Sequence, residues 1–109
     1  MTTFMVQGSY TGEALATMIK NPQDRMAGVA KLAEALGGRL ICGYFSLGEH
    51  DFVVIAELPD EQAALTAVLA AHAPGHLKST QTTTLYTTED AMAAMSKANT
   101  LTFAGPKSS

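Results

Sequence analysis

The chain of 109 residues has no tryptophan, a single cysteine and few charges, with Asp, Glu, Lys and Arg making up 16% of it. The shortages of cysteine and of charge each exclude something. Cys42 alone cannot form a disulfide within the chain, which fits a reducing compartment, and a cytoplasmic location is expected. The seven Lys and Arg residues are scattered from Lys20 to Lys107 and the formal net charge is −3, so the concentrated positive footprint of a nucleic-acid binder is missing. The longest apolar run, around Ala63–Ala73, is too short and interrupted for a membrane span. Met1 leads directly into Thr2, Thr3 and a short apolar run with no basic segment before it, so no signal peptide is expected.

What is present is apolar surface in a small domain. Hydrophobic residues make up 47% of the chain. The length fits one domain, and a domain this small gains from a disulfide, a metal or self-association. With so little charge to cover the outside, self-association is the expected addition.

Thr3–Tyr10 reads as a strand, with Phe4, Val6 and Tyr10 on one side and Met5, Gln7 and Ser9 on the other. Thr11 can cap a helix reaching Lys20, and Asn21-Pro22 suits a break followed by a second helix from Pro22 to about Leu36. Gly37-Gly38 ends that helix. Arg39–Leu47 and Asp51–Leu58 are two strands joined by the short Gly48-Glu49-His50 connection, an antiparallel hairpin. Asp60 caps an alanine-rich helix, Glu61–His72, which Ala73-Pro74-Gly75 stops. His76–Tyr86 is a fourth strand, and Thr87 or Thr88 caps a last helix to about Ala98. The order predicts an α+β, ferredoxin-like βαββαβ fold over residues 1–98, with a four-stranded antiparallel sheet and helices on one face. Residues 99–109 form a tail expected to be mobile.

The third strand is apolar on both sides: Phe52, Val54, Ala56 and Leu58 on one, Val53 and Ile55 on the other. The helices of one chain cover one face only. The other is expected to carry Val53 and Ile55 with Met5, Gln7, Cys42, Tyr44 and Ser46, and to stack on a second copy across a core about 10 Å thick. Cys42, in a strand among apolar residues, is expected to be a buried, inert thiol.

Several stretches resemble the GYD-domain family. They are Gly8-Ser9-Tyr10-Thr11, Gly37-Gly38-Arg39-Leu40, the run from Tyr44 to Ile55, Pro59-Asp60 and Thr82-Thr83-Thr84-Leu85. The resemblance spans roughly Thr3 to Met95 and is most specific at the Gly48–Asp51 hairpin. The family's Gly/Tyr/Asp motif aligns with Gly48, His50 and Asp51, so a histidine stands at the tyrosine position. The resemblance implies a dimeric α/β barrel and no established activity. Similar barrels include cofactor-free monooxygenases, haem-degrading enzymes, ligand-sensing domains and stress proteins, so the fold does not select among them.

Gln7, Tyr44, Ser46, His50 and Asp51 are the candidate cavity residues, with Glu57 beside them. Polar groups on an otherwise apolar face orient a small ligand or hydrogen-bond across a subunit boundary. His50 can move protons near neutral pH and Asp51 can orient it, but both equally suit a turn and the start of a strand. His72 and His76 flank a Pro-Gly break, which spoils the helical spacing a metal pair needs, so no metal is expected. Gly37-Gly38 follows a helix instead of opening one, so it is no phosphate loop, and no cofactor is expected. The leading expectation is a self-associating domain holding a small apolar or aromatic molecule between paired sheets. A small cofactor-free oxygenase or isomerase using His50 or Tyr44, and a purely structural homo-oligomer, are the alternatives.

Overall fold

The computed structural model describes residues 1–106, so the last three residues of the predicted tail lie outside the described residues. The elements run β1 (Thr2–Tyr10), α1 (Gly12–Lys20), α2 (Arg25–Ala35), β2 (Arg39–Phe45), β3 (Phe52–Leu58), α3 (Glu61–His72), β4 (Leu77–Leu85) and α4 (Thr88–Ala98). The sheet order is β2-β3-β1-β4 with every pairing antiparallel, which is the ferredoxin-like arrangement expected from the sequence. Among the described residues no helix is long and apolar enough to cross a membrane.

Local chemistry sets the boundaries. Thr11, Asp60 and Thr87 each accept a hydrogen bond from a first-turn N–H of α1, α3 and α4. The second helix differs from expectation: it starts at Arg25, not Pro22, because the Asp24 carboxylate caps it by accepting the Met26 N–H at 3.0 Å. Residues 21–24 are thereby a spacer that offsets α2 from α1. Strand β2 ends at Phe45, two residues early, because the Ser46 N–H donates to the Asp51 carbonyl and closes the hairpin there.

Helix α2 ends in a Schellman arrangement. The Gly37 N–H donates to Glu34 O and the Gly38 N–H to Ala33 O, with Gly37 at φ +82°. Gly38 then passes so close to β3 that an added Cβ would run into the Glu57 carbonyl. This corner fixes the register at which α2 lies on the sheet.

Burial in β3 alternates strictly: Phe52, Val54, Ala56 and Leu58 are buried and the residues between them half-buried. The core forms two clusters on the helix side. Phe4, Ala33, Leu58 and Ala64 make one, and Tyr10, Ala14, Phe52 and Val54 the other. Helix α4 contributes no buried residue. The radius of gyration is 18.0 Å, against about 13 Å for a compact chain of this length.

Gly38→Ala is expected to cost about 2–4 kcal/mol, since the obstacle is backbone that cannot step aside. Gly48→Ala, which meets nothing, should stay within about 0.5 kcal/mol of wild type. Urea denaturation of the two variants checks this.

Candidate functional site

The register settles which residues share the open face. Tyr44, Val53, Gln7 and Gln81 stand side by side across β2, β3, β1 and β4. The next row is Cys42, Ile55, Met5 and Thr83, and the one beyond it Arg39, Glu57, Thr3 and Leu85. Opposite residues in antiparallel strands point to the same side, so these rows form one surface. It is apolar where β2 meets β3 and polar toward β4. Tyr44 stands 64% exposed on it. Glu57, a candidate ligand contact by sequence, is paired with Arg39, whose Nε donates at 3.0 Å. Cys42 differs from the expected buried thiol: it is half-buried on this face beside a bulge between Leu40 and Cys42.

The other three candidate residues gather at the hairpin end. Ser46 Oγ donates to the His50 carbonyl at 2.6 Å. A bulge between Ser9 and Tyr10 takes the Tyr10 N–H out of its ladder, and Asp51 Oδ2 accepts it at 3.0 Å. The Asp51 N–H donates to the Gly8 carbonyl, so Asp51 ties the hairpin to β1 at both its backbone and its side chain. His50 is half-buried, and its Nδ1 is buried with no hydrogen-bond partner among the described residues. Thus Gln7 and Tyr44 share a row, while Ser46, His50 and Asp51 make a separate group.

A cavity that the chain itself forms lies on the opposite side of the sheet. It is a half-open cleft of about 450 Å³ between the sheet and helices α2 and α3. Val54, Ala56 and Leu58 form its floor, and Val29, Ala67 and Ala71 are among its helical walls. Small residues cause it: α3 carries alanine where larger side chains would close the gap, and its leucines Leu65 and Leu69 are exposed instead. Arg25, Tyr10 and His76 are among the polar groups lining it. None of these three stands out as a site residue in the sequence. The available signal was the volume deficit of an alanine-rich helix on a sheet face of large residues.

The remaining histidine is engaged locally: His72 Nε2 lies 3.0 Å from Thr80 Oγ1. Among the described residues no three His, Cys, Asp or Glu side chains gather as a metal site. Burial pushes the Tyr10 phenol above its ordinary value. The Asp51 carboxylate adds to that rise, and the Arg25 guanidinium opposes it. A phenol whose folded value is raised supports the fold below the unfolded value and loses that support as pH climbs through the folded one. Stability is therefore expected to fall above about pH 10, and Tyr10→Phe should flatten that alkaline loss in denaturation curves taken at increasing pH.

Comparison with known proteins agrees with this architecture. The GYD domain model matches residues 4–95. A curated relative, the glutamine synthetase and cystathionine beta-lyase binding protein of Thermus thermophilus, is 31% identical over 78 residues, covering 72% of this chain and 82% of the relative. Among solved structures, TTHA0845 from Thermus thermophilus superposes with a TM-score of 0.52 at 17% identity, over 80% of this chain and 95% of that one. MtbAldR superposes with a TM-score of 0.55 at 14% identity, over 79% of this chain and 52% of that one. The structures share the fold, and the sequence match adds the family: this chain belongs to the GYD domain family.

Proposed function

We propose that this protein is a non-catalytic, self-associating binding protein. It pairs with a second copy through the open sheet face and holds a small apolar or aromatic molecule. The observation that carries the reading is the cleft of about 450 Å³, mostly apolar in its walls, with Tyr10, Asp24, Arg25 and His76 among its polar lining residues. Ligand pockets run from about 300 to 1,000 Å³ and combine apolar walls with a few convergent polar groups.

The ligand site expected from the sequence lies between paired sheets. Here the ligand is assigned to the helix side, and Gln7 and Tyr44 to the boundary between copies, where each can find a partner across the stack. The enzyme alternative has one feature in its favour, the buried and unpartnered Nδ1 of His50, but no acid or base side chain among the described residues hydrogen-bonds it. A second reading draws on the Thermus relative, whose name states that it binds two enzymes. Leu65 and Leu69, one turn apart on α3, are 54% and 61% exposed and offer an apolar ridge for such docking.

Native mass spectrometry is expected to show a dimer or larger assembly. Val53→Asp with Ile55→Asp should give a monomer of unchanged circular dichroism; a wild-type monomer would remove the pairing. An anionic naphthalene dye should bind the wild type, and Ala67→Trp, which fills the cleft, should weaken that binding at least tenfold without changing the assembly. Equal dye binding by Ala67→Trp would remove the cleft from the reading. For the second reading, immobilised glutamine synthetase should capture the purified chain and lose it with Leu65→Ser/Leu69→Ser.

A further inference from the structure

Helix α4 is specified by its sequence as a helix, yet among the described residues it buries none of its own side chains. Thr87 caps it, Glu89 and Asp90 sit in its first turn and Lys97 in its last, the arrangement that suits the helix dipole at both ends. An isolated helix of 11 residues is marginal in water unless an apolar face is buried. Here that face is bare: Met92 and Met95, one turn apart, are 61% and 68% exposed. Tyr86 before the helix, and Leu101 and Phe103 after it, are 74%, 70% and 94% exposed. The molecule extends 60 Å along its longest axis against 37 and 23 Å across.

We infer that residues 86–106 are an arm that clasps a second copy of this chain. The inference rests on the proposed face-to-face pairing and adds to it. The arm leaves from Leu85, the β4 member of the open-face row with Thr3, Glu57 and Arg39, so it springs from the edge of the surface that pairs. Area favours the same occupant. A four-stranded face with strands about 4.8 Å apart and seven to nine residues long at about 3.3 Å each projects roughly 500 Å². A standard stable interface buries about 800 Å² on each partner. As a flat projection the face alone comes to under two-thirds of that. A helix about 16 Å long and 10 Å wide adds on the order of 160 Å², and in a two-fold dimer each copy both gives an arm and receives one. Two reciprocal arms bring the contact close to the standard size.

The test is sedimentation equilibrium on the full chain carrying Met92→Gln and Met95→Gln. Glutamine keeps the length and helix propensity of methionine and removes its apolar end. These side chains are exposed in the single chain, so the fold should be unchanged by circular dichroism. The dimer dissociation constant is expected to rise tenfold or more, and any smaller rise overturns the arm. In a mixture of isotopically light and heavy chains, amine cross-links from Lys97 to Lys20, Lys31 or Lys78 should join light to heavy. Cross-links confined to single chains overturn it as well. A wild-type chain that stays monomeric overturns the pairing and the arm together, whereas a dimer indifferent to the substitutions overturns the arm alone.

Discussion

The structure depends on one strand, β3, being apolar on both of its sides while the chain owns helices enough for only one. On the helix side Phe52, Val54, Ala56 and Leu58 are buried, packed by residues of α1, α2 and α3. On the other side Val53 and Ile55 lie between Tyr44, Cys42, Gln7 and Met5 and are only half-buried. A second layer over that surface removes apolar area from water at about 25 cal/mol per Å², and the sheet can gain it without any change in its own backbone. The sheet must remain aligned for this, and the Asp51 carboxylate contributes to that alignment. By accepting the Tyr10 N–H it satisfies a donor that the bulge in β1 would otherwise leave bare beside the Tyr10–Phe52 ring pair.

Much of this is legible in the sequence because it rests on periodicity. Alternation in β1 and β3 defines the two faces, and the pairing of Gln7 with Tyr44 through Val53 follows once the hairpin and strand order are known. Caps and glycines mark most element ends. The start of α2 is the exception, because Pro22 and Asp24 are both acceptable near a helix start, and only the Met26 N–H bond decides for Asp24. The family resemblance read from the hairpin and the strand after it holds over residues 4–95.

The candidate site is less legible, for a physical reason. Pattern reveals which residues face inward but not how well they fill the space they face. Alanine at positions 67 and 71 reads as helix former and core alike, and the cleft exists only because those small side chains stand over the β3 residues at a fixed distance. Likewise His50 and Asp51 are adjacent in sequence and chemically suggestive. The strand alternation and the bulge send the Asp51 carboxylate to a backbone N–H, and leave His50 apart from it. Side-chain type locates the hairpin as special; only the fold assigns it to anchoring the sheet.

The two faces of the sheet then divide the work in a way that a single small domain can sustain. Cavities weaken a domain, and a core split into two clusters around a cleft leaves little margin. In the proposed pairing, burial of the opposite face would be coupled to folding, so association of copies would raise the stability of the chain that carries the cleft. The proposed arm would extend the same coupling without adding bulk to the core. On the proposed pairing the loosely filled helix layer and the apolar sheet face would be one design: assembly on one side of β3 would make an under-filled layer tolerable on the other.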